Sequence, residues 1–120
     1  MRARYLKAQR IVVEAVKPGD RITDLENLMH GVFEKEGYED YFVGPPIHGT
    51  GLEFEEPPLP SGHAFFHGEE PKEELRRGMV IAIGNCGLYL GDFGVRVEDT
   101  IAVSETGYEE LTNYSRSLHP

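Results

Sequence analysis

Hydrophobic positions recur at helical spacing along the first third of the chain and in short alternating runs along the rest. From Arg2 to Lys17 the apolar residues Tyr5, Ala8, Val12, Ala15 and Val16 return every three or four positions, with Leu6 and Val13 beside them. That period lines one face of a 3.6-residue helix, so the segment is predicted to be an amphipathic helix. Pro18-Gly19-Asp20 stops it. A second helix follows, opened by Thr23-Asp24-Leu25-Glu26. These four have the form of a capping box, in which the threonine hydroxyl accepts from the Glu26 amide and the Glu26 carboxylate reaches back to the cap. Leu25, Leu28, Met29, Val32 and Phe33 make one apolar stripe, and Gly37 stands where a left-handed residue closes a helix. About six residues join the two helices, a length that favours an antiparallel pair.

Beyond Gly37 the period changes. Tyr41-Phe42-Val43 is a short apolar run ended by Pro45-Pro46, and Ile47 to Phe54 alternates loosely. Pro57-Pro58-Leu59-Pro60 interrupts any ladder, since proline has no amide donor. Residues 55–78 read as a long loop, with one turn of helix around Glu73-Glu74-Leu75. Met79 to Ile83, Gly87 to Leu90, Val95 to Glu98 and Thr100 to Val103 are short β-branched runs separated by glycine-containing turns, the pattern of an antiparallel meander. Tyr108 to Thr112 adds a terminal strand. The expectation is a single α+β domain over residues 1–120.

Composition narrows the classes of function. A chain of 120 residues has room for one core and not for a spacious multi-domain cleft. It carries 21 acidic against 12 basic residues, a net charge of -9, which repels phosphate backbones and anionic lipid. Neither a nucleic-acid nor a membrane partner is expected. The single cysteine, Cys86, has no partner for an internal disulfide and no companions for a cysteine zinc knot, and no signal-peptide or membrane-spanning stretch is visible. A cytoplasmic protein is therefore expected. The glycine-rich stretch Gly84 to Gly94 lacks the strand, glycine loop and helix of a nucleotide site, so no organic cofactor is implied.

Two clusters carry candidate chemistry. One is His48-Gly49-Thr50-Gly51-Leu52-Glu53-Phe54-Glu55-Glu56-Pro57-Pro58, the other Gly94-Val95-Arg96-Val97-Glu98-Asp99-Thr100. Taken alone, each reads as ordinary loop or strand-end structure. Together, and in this order, they resemble the creatinase-like, pita-bread metallopeptidases, a family that includes methionine aminopeptidases, Xaa-Pro aminopeptidases and prolidases. Ala15-Val16-Lys17-Pro18-Gly19, Lys35-Glu36-Gly37-Tyr38, Gly78-Met79-Val80 with Ile83, and Gly107-Tyr108-Glu109 with Leu111-Thr112 follow the same order, so the resemblance covers nearly the whole chain. The Leu52-Glu53 and Glu56-Pro57-Pro58 pattern is nearer to Xaa-Pro peptidases than to methionine aminopeptidases. The resemblance implies the C-terminal half of a pita-bread fold, two antiparallel helices packed on a curved antiparallel sheet.

It also implies a ligand set that this sequence only partly keeps. Such enzymes hold two divalent metals with two aspartates, one histidine and two glutamates, which nearly neutralise two dications and leave a bridging water acidic. His48 matches the histidine, Glu98 the last, bridging glutamate, and Arg96 the neighbour that orients a carboxylate. The other glutamate is expected after Ile83, where Gly84-Asn85-Cys86 stands in place of Glu-Pro-Gly, and the second active-site histidine is Glu55. The two aspartates belong to a hairpin upstream of the first helix, before the point where this sequence starts. Glu53, Glu55, Glu56, His63 and His67 are the groups available for repair, with Glu55 the foremost. Cys86 reads as a small buried residue, not a nucleophile.

Three readings follow. The chain is a noncatalytic relative with a degenerate metal centre; or a split metal-dependent Xaa-Pro peptidase completed by another chain; or a mononuclear site using His48, Glu98 and Glu55, binding one manganese, cobalt or zinc ion weakly. The half-domain is expected to form a homodimer in which a second copy stands in for the absent half, with a peptide as candidate ligand.

Overall fold

A computed structural model describes residues 2–53, 55–58, 74–84, 87–115 and 117. Two helices, α1 (Arg2–Ala15) and α2 (Ile22–Lys35), precede the strands β1 (Ile47–Gly49), β2 (Val80–Ile83), β3 (Leu88–Tyr89), β4 (Gly94–Val95), β5 (Asp99–Val103) and β6 (Tyr108–Glu110). The helices run antiparallel, as their spacing predicts: Arg4 and Lys7 near the start of α1 pair with Glu36 just past the end of α2. The Arg4 guanidinium also lies 5.2 Å from the centre of the Tyr38 ring.

The end of α2 follows the sequence closely. Gly37 takes a φ of 73°, its amide donates to Glu34 O, and the Tyr38 amide donates to Phe33 O. This pair of bonds satisfies carbonyls that a helix end leaves open. The beginning differs. No side chain caps α2; the cap is Arg21, in extended conformation, and the helix starts at Ile22. The capping box at Thr23 does not form because the chain just before it is already pinned: Arg21 bridges Glu74, the Leu75 amide donates to Asp20 O and the Gly19 amide to Leu75 O. Glu74 and Leu75 therefore extend beside the helix connection and do not make the expected turn of helix; Glu73 lies outside the described residues.

The strands are shorter than their apolar runs and are not a simple meander. β1, β2, β5 and β6 form one antiparallel sheet in that order, and β3 and β4 pair apart from it. Of the Val95 to Glu98 run only Val95 is in a strand, at the end of β4. β1 ends at Gly49 because residues 56–58 fold back on it: the Gly49 amide donates to Pro58 O, and a Cβ on Gly49 would overlap the Glu56 and Pro57 carbonyl oxygens.

One core joins helices and sheet. Tyr5, Ala8, Val12 and Val13 of α1, Leu25, Met29 and Phe33 of α2, and Ile47, Ile81, Ile83, Leu88, Ile101 and Val103 of the strands are all buried. Phe33 joins α1 to the segment before β1, its ring 6.0 Å from Tyr5 and 4.6 Å from Phe42. Among the described residues no helix is long and apolar enough to cross a membrane.

The α2 end yields a first test. Nothing lies within 4 Å of a Cβ added to Gly37, so the cost of substitution there is backbone strain alone. Gly37→Ala is expected to lower the unfolding free energy by ~1–2 kcal/mol in urea denaturation; an unchanged midpoint would show that this glycine does not terminate the helix.

Candidate metal centre

Sheet register brings the two motif residues together. His48 pairs with Ala82, and Ala82 pairs with Thr100 across the other side of β2. Paired residues point to one face, so His48, Ala82 and Thr100 form a row, and Glu98 stands two residues before Thr100 on the same side. Residues 96–98 lie between β4 and β5 and outside any strand, so Arg96 and Glu98 meet through their side chains without ladder pairing.

The resulting contact is close. His48 Nε2 lies 3.3 Å from Glu98 Oε1, and Arg96 Nη2 donates to Glu98 Oε2 at 3.0 Å. His48 is 7% exposed, and its Nδ1–H donates to Gly49 O at 2.7 Å. With Nδ1 aimed at a carbonyl and Nε2 at a carboxylate, the imidazolium satisfies both acceptors, whereas the neutral ring turns a lone pair toward Glu98. The hydrogen bond to Glu98 accordingly raises His48 above its ordinary 6.5, helped by Gly49 O and the charge of Glu55. The bond from His48 holds Glu98 below its ordinary 4.5, with Arg96 adding to it.

The same geometry can be tested against a metal. Two neighbouring ligands of one ion, each bonded at about 2.0–2.2 Å, stand about 3 Å apart, so the His48–Glu98 spacing fits a shared ion as well as a hydrogen bond. Gly49 O on the far ring nitrogen and Arg96 on the far carboxylate oxygen are the supports that aim such ligands. The fit stops there. Glu55 is half-buried and acts on His48 through its charge, yet no group of three or more His, Cys, Asp or Glu side chains among the described residues is placed to hold an ion. His63, His67, Asn85 and Cys86 lie outside the described residues.

Position 84 is closed. Strand alternation would put a side chain there on the face of Ala82, beside Glu98. Gly84 instead has a φ of 104°, and a Cβ on it would overlap the Val97 carbonyl oxygen and come within 2.9 Å of Gln9 Nε2. The group that excludes it is the Val97 carbonyl, and α1 holds that carbonyl in place. Gln9 Nε2 donates to Ile83 O at 3.0 Å and to Val97 O at 2.8 Å, and the Tyr5 hydroxyl donates to Gly84 O at 3.0 Å. On the other side the Gly84 amide donates to Pro46 O at 2.8 Å.

Gln9 has no part in the motif-based reading of the site. Its one signal in the sequence is a polar residue on the apolar stripe of α1, four positions after Tyr5 and three before Val12, and it is 1% exposed. Its Oε1 is buried without a hydrogen-bond partner among the described residues, an arrangement that costs about 1–3 kcal/mol and is offset by the two bonds of its Nε2. Tyr114, whose hydroxyl donates to Glu98 O at 2.8 Å, is a second unanticipated support. Thr112 is a third, its hydroxyl donating to the buried Asp99 carboxylate at 2.7 Å.

Comparison with known proteins gives a consistent result. The model of metallopeptidase family M24 matches residues 3–105. The chain is 38% identical over 114 residues to an Xaa-Pro dipeptidase of Pyrococcus furiosus, covering 94% of this chain and 30% of that protein. It is also 38% identical to a putative dipeptidase of Bacillus subtilis, covering 29% of it. Among solved structures, the prolidase of Pyrococcus horikoshii superposes with a TM-score of 0.84 at 36% identity, covering 98% of this chain and 32% of that one. An X-Pro aminopeptidase of Thermotoga maritima superposes with a TM-score of 0.80 at 27% identity. The chain thus spans about 30% of the length of the curated relatives it matches.

The ion pair predicts a pH profile. A raised histidine stabilises below its unfolded value and loses that contribution as pH rises through its folded pKa; a lowered glutamate stabilises above its unfolded value and loses it as pH falls through its folded pKa. Both contributions are complete between the ordinary values of 4.5 and 6.5. NMR titration is expected to show His48 deprotonating above 6.5 in the wild type and at or below it in Glu98→Gln; a His48 midpoint unmoved by Glu98→Gln would contradict the pairing.

Proposed function

Because this chain belongs to the M24 metallopeptidase family, we propose that it is an Xaa-Pro dipeptidase-related protein with a degenerate metal centre, noncatalytic as an isolated chain. The observation that supports this most is the closure of position 84, where the resemblance calls for a metal-binding glutamate. Chemistry on a peptide bond in this family's manner asks for enough carboxylates to balance the bound cations and leave a water acidic. His48 and Glu98 supply one imidazole and one carboxylate, an edge of a coordination shell without the rest. Losing even an outer partner of a metal ligand weakens affinity 10- to 100-fold by general experience, and here position 84 has no side chain at all.

A split Xaa-Pro peptidase, completed by a second polypeptide, is the alternative. It keeps the aimed His48–Glu98 edge as its support, but a partner chain bringing aspartates leaves position 84 closed. The mononuclear reading needs Glu55 to swing from acting at a distance on His48 to direct ligation. As partner we propose a second copy of the chain, with a peptide as ligand. The exposure of Leu52, Phe93 and Leu111 supports the self-association. Light scattering is expected to show a dimer, and a monodisperse monomer at micromolar concentration would overturn this.

Manganese titration followed calorimetrically is expected to show no stoichiometric uptake by the chain, and no hydrolysis of Xaa-Pro dipeptides in its presence. Gly84→Glu, which restores the carboxylate, is expected to cost ~3 kcal/mol or more from strain and overlap, and to leave metal uptake unchanged. Saturable manganese binding with loss on His48→Ala, or hydrolysis by the chain alone, contradicts the proposal.

A further inference from the structure

Away from His48, α2 carries a carboxylate whose one ion-pair partner among the described residues is a histidine beyond hydrogen-bond reach. The Glu26 side chain is 13% exposed, and its Oε1 lies 3.6 Å from where a Cβ on Gly44 would stand. Its ion-pair partner among the described residues is His30 Nε2, one turn along, at 3.8 Å, beyond hydrogen-bond reach. The His30 ring meets Phe42 edge-on, with centroids 4.7 Å apart at 78°.

Among the described residues, no ion-pair partner of Glu26 other than His30 is seen. Residues 42–46, which pack on it, are Phe42, Val43, Gly44, Pro45 and Pro46, with no titratable side chain; the turn-neighbours of Glu26 on α2 other than His30 are Ile22, Thr23 and Met29. Burial is the cause acting on each group, pushing Glu26 up to about 7 and His30 down.

We propose that Glu26 and His30 form a proton-controlled latch between α2 and the 42–46 segment, closed while Glu26 holds its proton and loosened when it ionises. With the proton on, the pair is neutral, and the segment stays packed against it. With the proton off, a carboxylate only 13% exposed faces an uncharged imidazole, and parting of α2 from residues 42–46 would return it to water. The segment is well placed to transmit that opening. The Val43 amide donates to Gly87 O, Phe42 bridges Leu88, and Pro46 O accepts from the Gly84 amide immediately before β1. This latch is independent of whether the chain binds metal.

The Val43 amide is the reporter. Its hydrogen-exchange protection factor, measured by NMR and corrected for intrinsic exchange, is expected to fall about tenfold between about pH 6 and about pH 8.5 in the wild type, and to stay level in Glu26→Gln. Any general loosening from the His48–Glu98 pair appears in both proteins, so the difference between them isolates Glu26. A carbon-13 titration of the wild-type Glu26 carboxyl, expected to turn near neutrality, does not depend on the variant folding. Equal protection at both pH values in the wild type, an equal fall in Glu26→Gln, or a carboxyl that titrates in the ordinary glutamate range overturns the latch.

Discussion

The Gln9 amide, inserted between the end of β2 and the strand-like segment before β5, is the contact on which the candidate site depends. A helix packed on a sheet by apolar residues alone can slide by fractions of an ångström. Two hydrogen bonds from one Nε2 to Ile83 O and Val97 O hold α1 against both chains at once. Tyr5 extends the same line to Gly84 O. Buried polar bonds of this kind are costly to leave half-made, so they fix a single arrangement.

That arrangement has two consequences that pull against each other. Holding Val97 fixes the residue beside Glu98, and with Tyr114 on Glu98 O it aims the carboxylate at His48. The spacing of those two side chains suits a metal-binding face. Yet the same bonds draw Val97 O over position 84 and leave no volume for a side chain there. The contact that orders the surviving residues also occupies the place of the glutamate the resemblance calls for.

Much of this was legible in the amino-acid order. Both helices, the glycine end of α2 and the antiparallel sheet follow from periodicity and glycine placement, which are local properties, and the family from the resemblance carried by the His48 and Glu98 motifs. The places where expectation and structure part are set by distant contacts. Thr23 lost its capping role because Asp20 and Leu75 had already fixed the preceding backbone. β3 and β4 left the main sheet although their runs look like those of their neighbours. Gly84 is readable as a missing ligand, but its closure by Val97 O is not, since the residue that holds this carbonyl stands 75 positions before Gly84 on a stripe that otherwise reads as core.

The central claim is that the described site has one edge of a coordination shell and a sealed position where a further ligand would stand. Anomalous diffraction from crystals soaked in manganese tests it directly. The account predicts no manganese peak between His48 and Glu98, with Gly84 in its positive-φ conformation beneath the Gln9 amide. A peak bonded to both side chains and to a third protein ligand would contradict it.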